Sequence, residues 1–228
     1  MLELMKTKHP RYQHTPDHLF LHTFVFVDDW LKQYQSQLPH QPRQKASYSV
    51  LRNVALTELA QAVAQDDALH IIDSKPLPVA KGKRRHLWAK CLDAQRGFST
   101  FGAVFGFKLH ALVTSERLFR RWGVASADTA DVTMGKELLQ GLEDKVVIGD
   151  KAYLGTTGIT PARKNMTRDT GWNEFYNRVR KRIETTFSSL VRSLTLHAAQ
   201  VKPFQSLRAR VNLKIAAFNL LHSGVLSR

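Results

Sequence analysis

Phe175, Val179, Ile183, Phe187, Leu190 and Leu194 recur at steps of four, four, four, three and four. That spacing puts six apolar side chains on one stripe of a single long helix, over 172–194, which is stable only when another layer covers it. The rest of this helix is strongly basic. In "NRVRKRIETTF" four of the five residues from Arg178 to Arg182 are cationic, and then a single acid, Glu184, appears. Glu184 falls about 100° round the helix from the stripe, in line with Tyr176 and Arg180 at four-residue intervals. Arg178, Arg182, Thr185, Ser189 and Arg192 fall on a further, basic face. Glu184 therefore belongs at the edge of the core, one turn after an arginine that can pair with it.

The covering layer is supplied upstream. "ALHIID" is a short apolar run ending in Asp73, followed by "SKPLPV", whose prolines forbid a helix interior. "FGFKLHALV" (105–113) alternates, with Phe107, Leu109, Ala111 and Val113 on one side and Lys108 and His110 on the other, polar side. "LFRRWGVAS" (118–126) reads as its neighbour across a tight "SER" turn, "DVTMGKELLQGL" (131–142) as a helix, and "KVVIGD" (145–150) as a buried strand ending in Asp150. A second long helix follows in 203–226. Strands first, then strand–helix–strand, then long helices predict an α/β fold: a mixed sheet flanked by helices. Residues 67–228 form that domain. Residues 1–66 form a small helical N-terminal region: "HTPDHLFLHTFVFVDDWLKQYQ" opens with a Thr15 cap and Pro16, "LPHQPRQKAS" (38–47) reads as a linker, and Val50, Val54, Leu59, Ala62 and Val63 give a helical period.

The chain of 228 residues carries a formal charge of +15. From Lys151 onward there are fourteen Lys/Arg against three acids, so that segment holds +11 of it. A polyanion is the natural partner, nucleic acid above all; a solvated basic surface is the plainer alternative. Cys91 is the only cysteine, which excludes an intrachain disulfide and a thiolate metal cage. No apolar run approaches the roughly 20 residues of a membrane span, and the N-terminus lacks the apolar core of a secretory signal. The expectation is a soluble, cytoplasmic protein with no membrane partner.

Asp73 and Asp150 each follow a strand, and Glu184 stands on the helix after them. Carboxylates are hard oxygen ligands suited to Mg²⁺ or Mn²⁺. Two such ions about 3.5–4 Å apart can clamp the attacking and leaving oxygens of a phosphoryl transfer. By spacing alone the signal is weak, because the chain holds 19 acids.

The motifs sharpen it. "VIGDKAYLG" resembles the second-aspartate motif of bacterial insertion-sequence transposases of the DDE type. "NRVRKRIETTFSSL" resembles their glutamate helix, with Arg180 one turn before Glu184. "HIIDSKPLPV" is similar to the first-aspartate strand, "FGFKLHALVT" to the strand after it, and "ASADTADVTM", with Asp131, to the segment after the third strand. The insertion-sequence 982 family is the nearest group, and the similarity runs from about residue 67 onward. The resemblance implies a ribonuclease H-like fold and a triad of Asp73, Asp150 and Glu184 holding two Mg²⁺ ions, for which Mn²⁺ can substitute. Arg180 would orient Glu184 or a phosphate. The implied reaction is DNA strand cleavage and transfer at the element's terminal repeats and at target DNA. A homodimer would act on the nucleoid. Two positions depart from related groups: Asn177 stands where a tyrosine is expected, with Tyr176 beside it, and Val191 where a lysine is expected, with Arg192 next. "QKASYSVLRNVAL" reads like a join and leaves an internally shortened copy open.

Phosphate-contact candidates are Lys83, Arg84, Arg85, Lys108, Lys151, Arg178, Lys181, Arg182 and Arg192. The first three lie in "KGKRRHLWAK" (81–90), a basic segment in which Trp88 either stacks on an unpaired base or tucks into the protein. For Lys108 and His110, solvent exposure competes with phosphate contact. Of His14, His18 and His22 only the last two share a helix, too few for a zinc site. Gly97, Gly102 and Gly106 make no phosphate loop. Three rivals stay open: a DNA-binding remnant that does not cut, a nuclease of the same fold without strand transfer, and a basic structural protein with incidental acids.

Overall fold

A computed structural model describes residues 45–64, 67–79, 93–99, 102–160, 170–194, 196 and 204–223. Its elements are α1 (Lys45–Val63), β1 (Leu69–Pro78), β2 (Gln95–Ser99), β3 (Gly102–Thr114), β4 (Phe119–Ser126), α2 (Asp131–Leu139), β5 (Val146–Gly149), a 3-10 turn (Lys151–Tyr153), α3 (Thr170–Leu194) and α4 (Phe204–His222). The five strands form one mixed sheet flanked by helices, as the sequence predicts. β3 is its longest strand. β1 pairs along one edge of it, antiparallel, while β2 and β4 share the other edge. β5 lies on the far side of β1 and runs parallel to it.

β1 runs through Asp73 to Pro78, well past the end expected from its apolar run. Both prolines fit for one reason. Val79 donates its N–H to the Phe105 carbonyl of β3 (3.0 Å). Alternation turns the nitrogens of Pro76 and Pro78 the other way, toward the side that β5 has already left: its pairing with β1 ends at Ile72 opposite Gly149. A nitrogen without a hydrogen costs nothing where, among the described residues, no strand continues the ladder.

Both faces of the sheet are covered. Ile72, Leu112, Val147 and Tyr153 pack with Leu138 and Leu139 of α2. On the opposite face Phe119, which pairs with Val113, meets Phe187 of α3 with ring centroids 6.1 Å apart. α3 buries Val179, Ile183, Phe187, Leu190 and Leu194, a gross gain on the order of 10 kcal/mol at about 2 kcal/mol for each side chain. The stripe starts differently from its sequence pattern. Phe175 is 47 % exposed and Tyr176 is buried, so the first turn leans toward the side of Arg180 and Glu184.

The expected polar face of β3 is corrected in the same way. His110 is fully buried and Lys108 nearly so, because α2 closes over the side that alternation alone leaves to solvent. The "SER" turn is held from two directions: Asp67 accepts the Ser115 N–H (2.6 Å), and Arg182 of α3 donates to the Ser115 carbonyl (3.1 Å).

The backbone divides into two compact units, one of Asp66–Phe204 and one that groups Met1–Gln65 with Gln205–Arg228. From Gln205 onward α4 groups with α1. The Asn219 amide donates to the Ala60 carbonyl (2.8 Å) within that unit, and α4 is buried all round from Ile215 to Leu220. On α1 the buried side is Ala55, Leu56, Leu59, Ala60 and Val63, leaving Val54 exposed. The expected stripe is thus rotated by about one position. Residues 45–47, read as linker, begin this helix. The proposed helix at 15–35 and His14, His18 and His22 lie outside the described residues. No described helix is long and apolar enough to cross a membrane.

One contact in the sheet is tight enough to test. A Cβ on Gly97 of β2 would fall 1.8 Å from the Ala127 carbonyl oxygen, so backbone would have to move. Gly97→Ala should cost about 1–3 kcal/mol, read as a lowered midpoint in urea denaturation.

Candidate active site

The sheet register brings the two aspartates together. β1 and β5 are parallel, and their last pair is Ile72 with Gly149. The next residue on each strand is Asp73 and Asp150, so the two stand side by side where the pairing stops. Asp73 lies opposite Ala111 of β3, on the face that α3 covers. Asp150 leaves its strand into the 3-10 turn and caps it, accepting the Lys151 N–H at 2.5 Å.

α3 completes the cluster. The Arg180 guanidinium stands with Nη2 3.6 Å from Asp150 Oδ2 and 3.6 Å from Glu184 Oε1. Its side chain is 24 % exposed, against 39 % for Asp150 and 58 % for Glu184. The glutamate is therefore held loosely at the rim, and Asp73 lies deepest. Burial pushes the Asp73 carboxyl up to about 6, and the charges of Asp150 and Glu184 push the same way, while the Ser74 N–H (2.8 Å) and Arg180 pull against them. A single guanidinium does not neutralise three carboxylates.

The structure thus gathers Asp73, Asp150, Glu184 and Arg180, which come from three distant segments. Among the described residues, no group of three or more His, Cys, Asp or Glu side chains stands as a ready metal cage. Arg180 lies between two of the carboxylates instead. The chemistry of the candidate donors, all of them carboxylate oxygens, is that which a hard divalent cation takes.

Tyr176 had no role in the sequence pattern beyond its shift from the expected register. Its hydroxyl is buried with no hydrogen-bond partner among the described residues. Burial pushes its pKa up, Arg180 pulls it down, and Asp150 and Asp73 push it up again, which places the ring beside the cluster. The available signal was the line Tyr176–Arg180–Glu184 at four-residue steps. Tyr153, three residues after Asp150, and Ser74, next to Asp73, were likewise visible only as neighbours of the aspartates.

The basic candidates separate into groups. Lys108 is turned to the α2 face, where its ammonium meets Asp131 Oδ1 (2.9 Å) and the Thr129 carbonyl (2.8 Å). Arg182 is exposed but bonded to the Ser115 carbonyl. Lys151, Arg178, Lys181 and Arg192 are exposed. Lys83, Arg84, Arg85 and Trp88 lie outside the described residues.

The Asp73 shift has a thermodynamic consequence. The folded protein keeps this proton to higher pH than the unfolded chain, so the protonated carboxyl's contribution is full below 3.8 and lost as pH rises through about 6. Asp73→Asn cannot ionise. Without divalent cations it should gain stability over the natural chain across that window, by about 1–3 kcal/mol at neutral pH. Urea denaturation of both proteins at a series of pH values measures the gap.

No curated protein and no solved structure matches the chain. A family model described as a transposase DDE domain matches residues 63–200, a span that holds β1, β5, α3 and all four residues of the cluster. The match covers more than half of the sequence, and the chain belongs to the transposase DDE domain family.

Proposed function

We propose that this protein is a DNA transposase that cleaves and joins strands at the ends of an insertion element, with Asp73, Asp150 and Glu184 as its catalytic carboxylates. One observation carries the reading: the register that sets Asp73 beside Asp150, with Arg180 bridging Asp150 to Glu184. The resemblance to the insertion-sequence 982 family supports terminal repeats as the substrate, and a homodimer as the form that pairs two ends.

Asp73, Asp150 and Glu184 would hold Mg²⁺, or Mn²⁺ in its place. Bound there, the ions would supply Lewis-acid activation of the attacking oxygen and charge for the leaving one. The chain's own residues do the rest. Asp73, partly buried at the point where β1 leaves β5, is the anchor. Glu184, on an exposed helix turn, can adjust without disturbing the core. Arg180 pairs with two carboxylates in the free protein, and its guanidinium would turn to a phosphate oxygen once cations take that task. The Tyr176 hydroxyl offers a donor from the wall of the site. Arg178, Lys181 and Arg192 on the open side of α3, with Lys151 after Asp150, grip the DNA backbone; such contacts position the duplex and carry no sequence information.

Asp73→Asn, Asp150→Asn and Glu184→Gln should each abolish nicking of terminal-repeat DNA while leaving gel-shift affinity equal or higher, since each removes negative charge. Near-normal nicking by any of the three would remove that residue from the site. A joined product separates transposase from nuclease, and binding without nicking in the natural chain would favour the inactive remnant.

The gripping residues are tested by salt. Each lost phosphate contact lowers the slope of log affinity against log salt by roughly 0.9 on duplex DNA. Arg178→Ala, Lys181→Ala and Arg192→Ala combined should flatten it by about two to three units, equally on repeat and random sequence. Arg182→Ala should instead lower thermal stability, because its guanidinium holds the Ser115 turn.

A further inference from the structure

β2 and the first residues of β3 make a hairpin that runs on past the last β1 pair. The pairing of β1 with β3 ends at Pro78 opposite Gly106, and β2 pairs with β3 from Gln95 opposite Gly106 to Ser99 opposite Gly102. The hairpin is anchored at its base. Val79 donates its N–H to the Phe105 carbonyl (3.0 Å) and Ala127 to the Gly106 carbonyl (3.0 Å), while Gly97 lies against the Ala127 carbonyl with no room for a side chain. At the outer end the Ser99 hydroxyl donates to the Gly102 carbonyl (3.2 Å).

This braced ribbon carries an aromatic ring that the protein leaves uncovered. Phe98 is 75 % exposed, more than any other large apolar side chain among the described residues. Its partner across the hairpin is Ala103, itself exposed and too small to cover a ring. Arg96 stands two residues earlier on the same face, its guanidinium carbon 5.8 Å from the ring centroid, within reach of a cation–π contact. Scattered apolar side chains are ordinary on surfaces; an open ring with a guanidinium beside it has the make-up of a stacking platform. Both residues lie on the face of the sheet that holds Asp73. Phe98 is opposite Ala103, Arg96 opposite Phe105 and Asp73 opposite Ala111, and these β3 positions alternate onto one side. Ala103 and Ala111 are separated by about 27 Å of strand.

We propose that Phe98, with Arg96, is a binding site for an unpaired nucleobase of a DNA strand engaged at the aspartates. The proposal rests on DNA being the substrate of the chain. A base inside a duplex has both faces covered by its neighbours, so an open protein ring captures only a base that is unpaired or at a strand end. The ring takes the flat face of the base and the Arg96 charge takes its phosphate. A second copy of this chain fits the platform less well, because each copy carries a formal charge of +15 and like charges repel. At about 3.4 Å per nucleotide of duplex, the separation is about eight nucleotides, so Phe98 holds flanking DNA and touches no reacting atom.

The test uses the full chain in EDTA and the fluorescence anisotropy of labelled oligothymidine and of a blunt duplex. Phe98→Ala should weaken oligothymidine binding by about five- to hundredfold and leave the duplex affinity unchanged. Arg96→Ala should lower the slope of log affinity against log salt on oligothymidine by about 0.7. Phe98→Trp should keep the affinity, and the emission it adds should be quenched by oligothymidine, as direct stacking requires. If Phe98→Ala binds oligothymidine like the natural chain, or weakens single strand and duplex equally, the site is overturned while the DNA substrate stands. Loss of a dimer by Phe98→Ala at unchanged DNA affinity assigns the ring to a second copy and overturns the site likewise. If the natural chain binds neither DNA, the DNA substrate falls and takes the site with it. Should Phe98→Ala fail to fold, Phe98→Trp decides: no quenching at saturating oligothymidine overturns the site.

Discussion

The end of one short parallel ladder organises this molecule. β5 pairs with β1 over four residues and stops at Gly149 opposite Ile72. Everything distinctive lies one residue further on. Asp73 and Asp150 become neighbours there, β1 loses a partner and so tolerates Pro76 and Pro78, and the chain after Asp150 is free to turn. Gly149 makes that stop workable: a Cβ at this position would sit 2.8 Å from Ile72 Cγ2, so a side chain would push the two strands apart just before the aspartates. Geometry that side chains alone would hold imprecisely is delivered by main-chain hydrogen bonds.

The cluster built on this ladder is electrostatically incomplete. Three carboxylates face one guanidinium, and Asp73 holds its proton to about pH 6, first because burial strips its water and only then because Asp150 and Glu184 repel its charge. Acids gathered in this way work against stability, which marks the cluster as a candidate functional site. The same chain spends its other cations elsewhere: Lys108 on Asp131, Arg182 on a turn, and the exposed lysines and arginines of α3 toward solvent.

Much of this was legible in the residues. The order of β1, β3, β4, β5 and the helices among them and the apolar stripe of α3 follow from periodicity, which reports a neighbour's presence; β2 did not announce itself, and the acids were singled out by the motifs around them. What periodicity cannot report is a neighbour's extent. Lys108 and His110 alternate as a polar face should, yet α2 closes over them, and only tertiary packing decides that. Phe175 and Tyr176 are both compatible with the stripe at the start of α3. The structure buries the one nearer Arg180, leaving its hydroxyl facing the acids. The two prolines of β1 read as a strand terminator because sequence does not show that β5 leaves that edge of the strand before them. Asp73 and Asp150 were visible as residues after apolar runs, but their adjacency is a property of register, which one sequence does not encode in any local pattern. The gathering of α4 with α1 was hidden for the same reason: both helices look amphipathic or apolar enough to pack on many surfaces.

That gathering bears on the order in which the protein assembles. Asp66–Phe204 is contiguous in sequence and contains every strand, so it can form its core as soon as Phe204 has left the ribosome. α1 is made long before α4, and the contact between the Asn219 amide and the Ala60 carbonyl closes a loop that contains the whole sheet. Closing so long a loop is slow when the chain between is unstructured and far cheaper once it has folded. During synthesis α1 therefore waits for α4, and a nascent chain would carry a finished candidate active site before its second unit is complete.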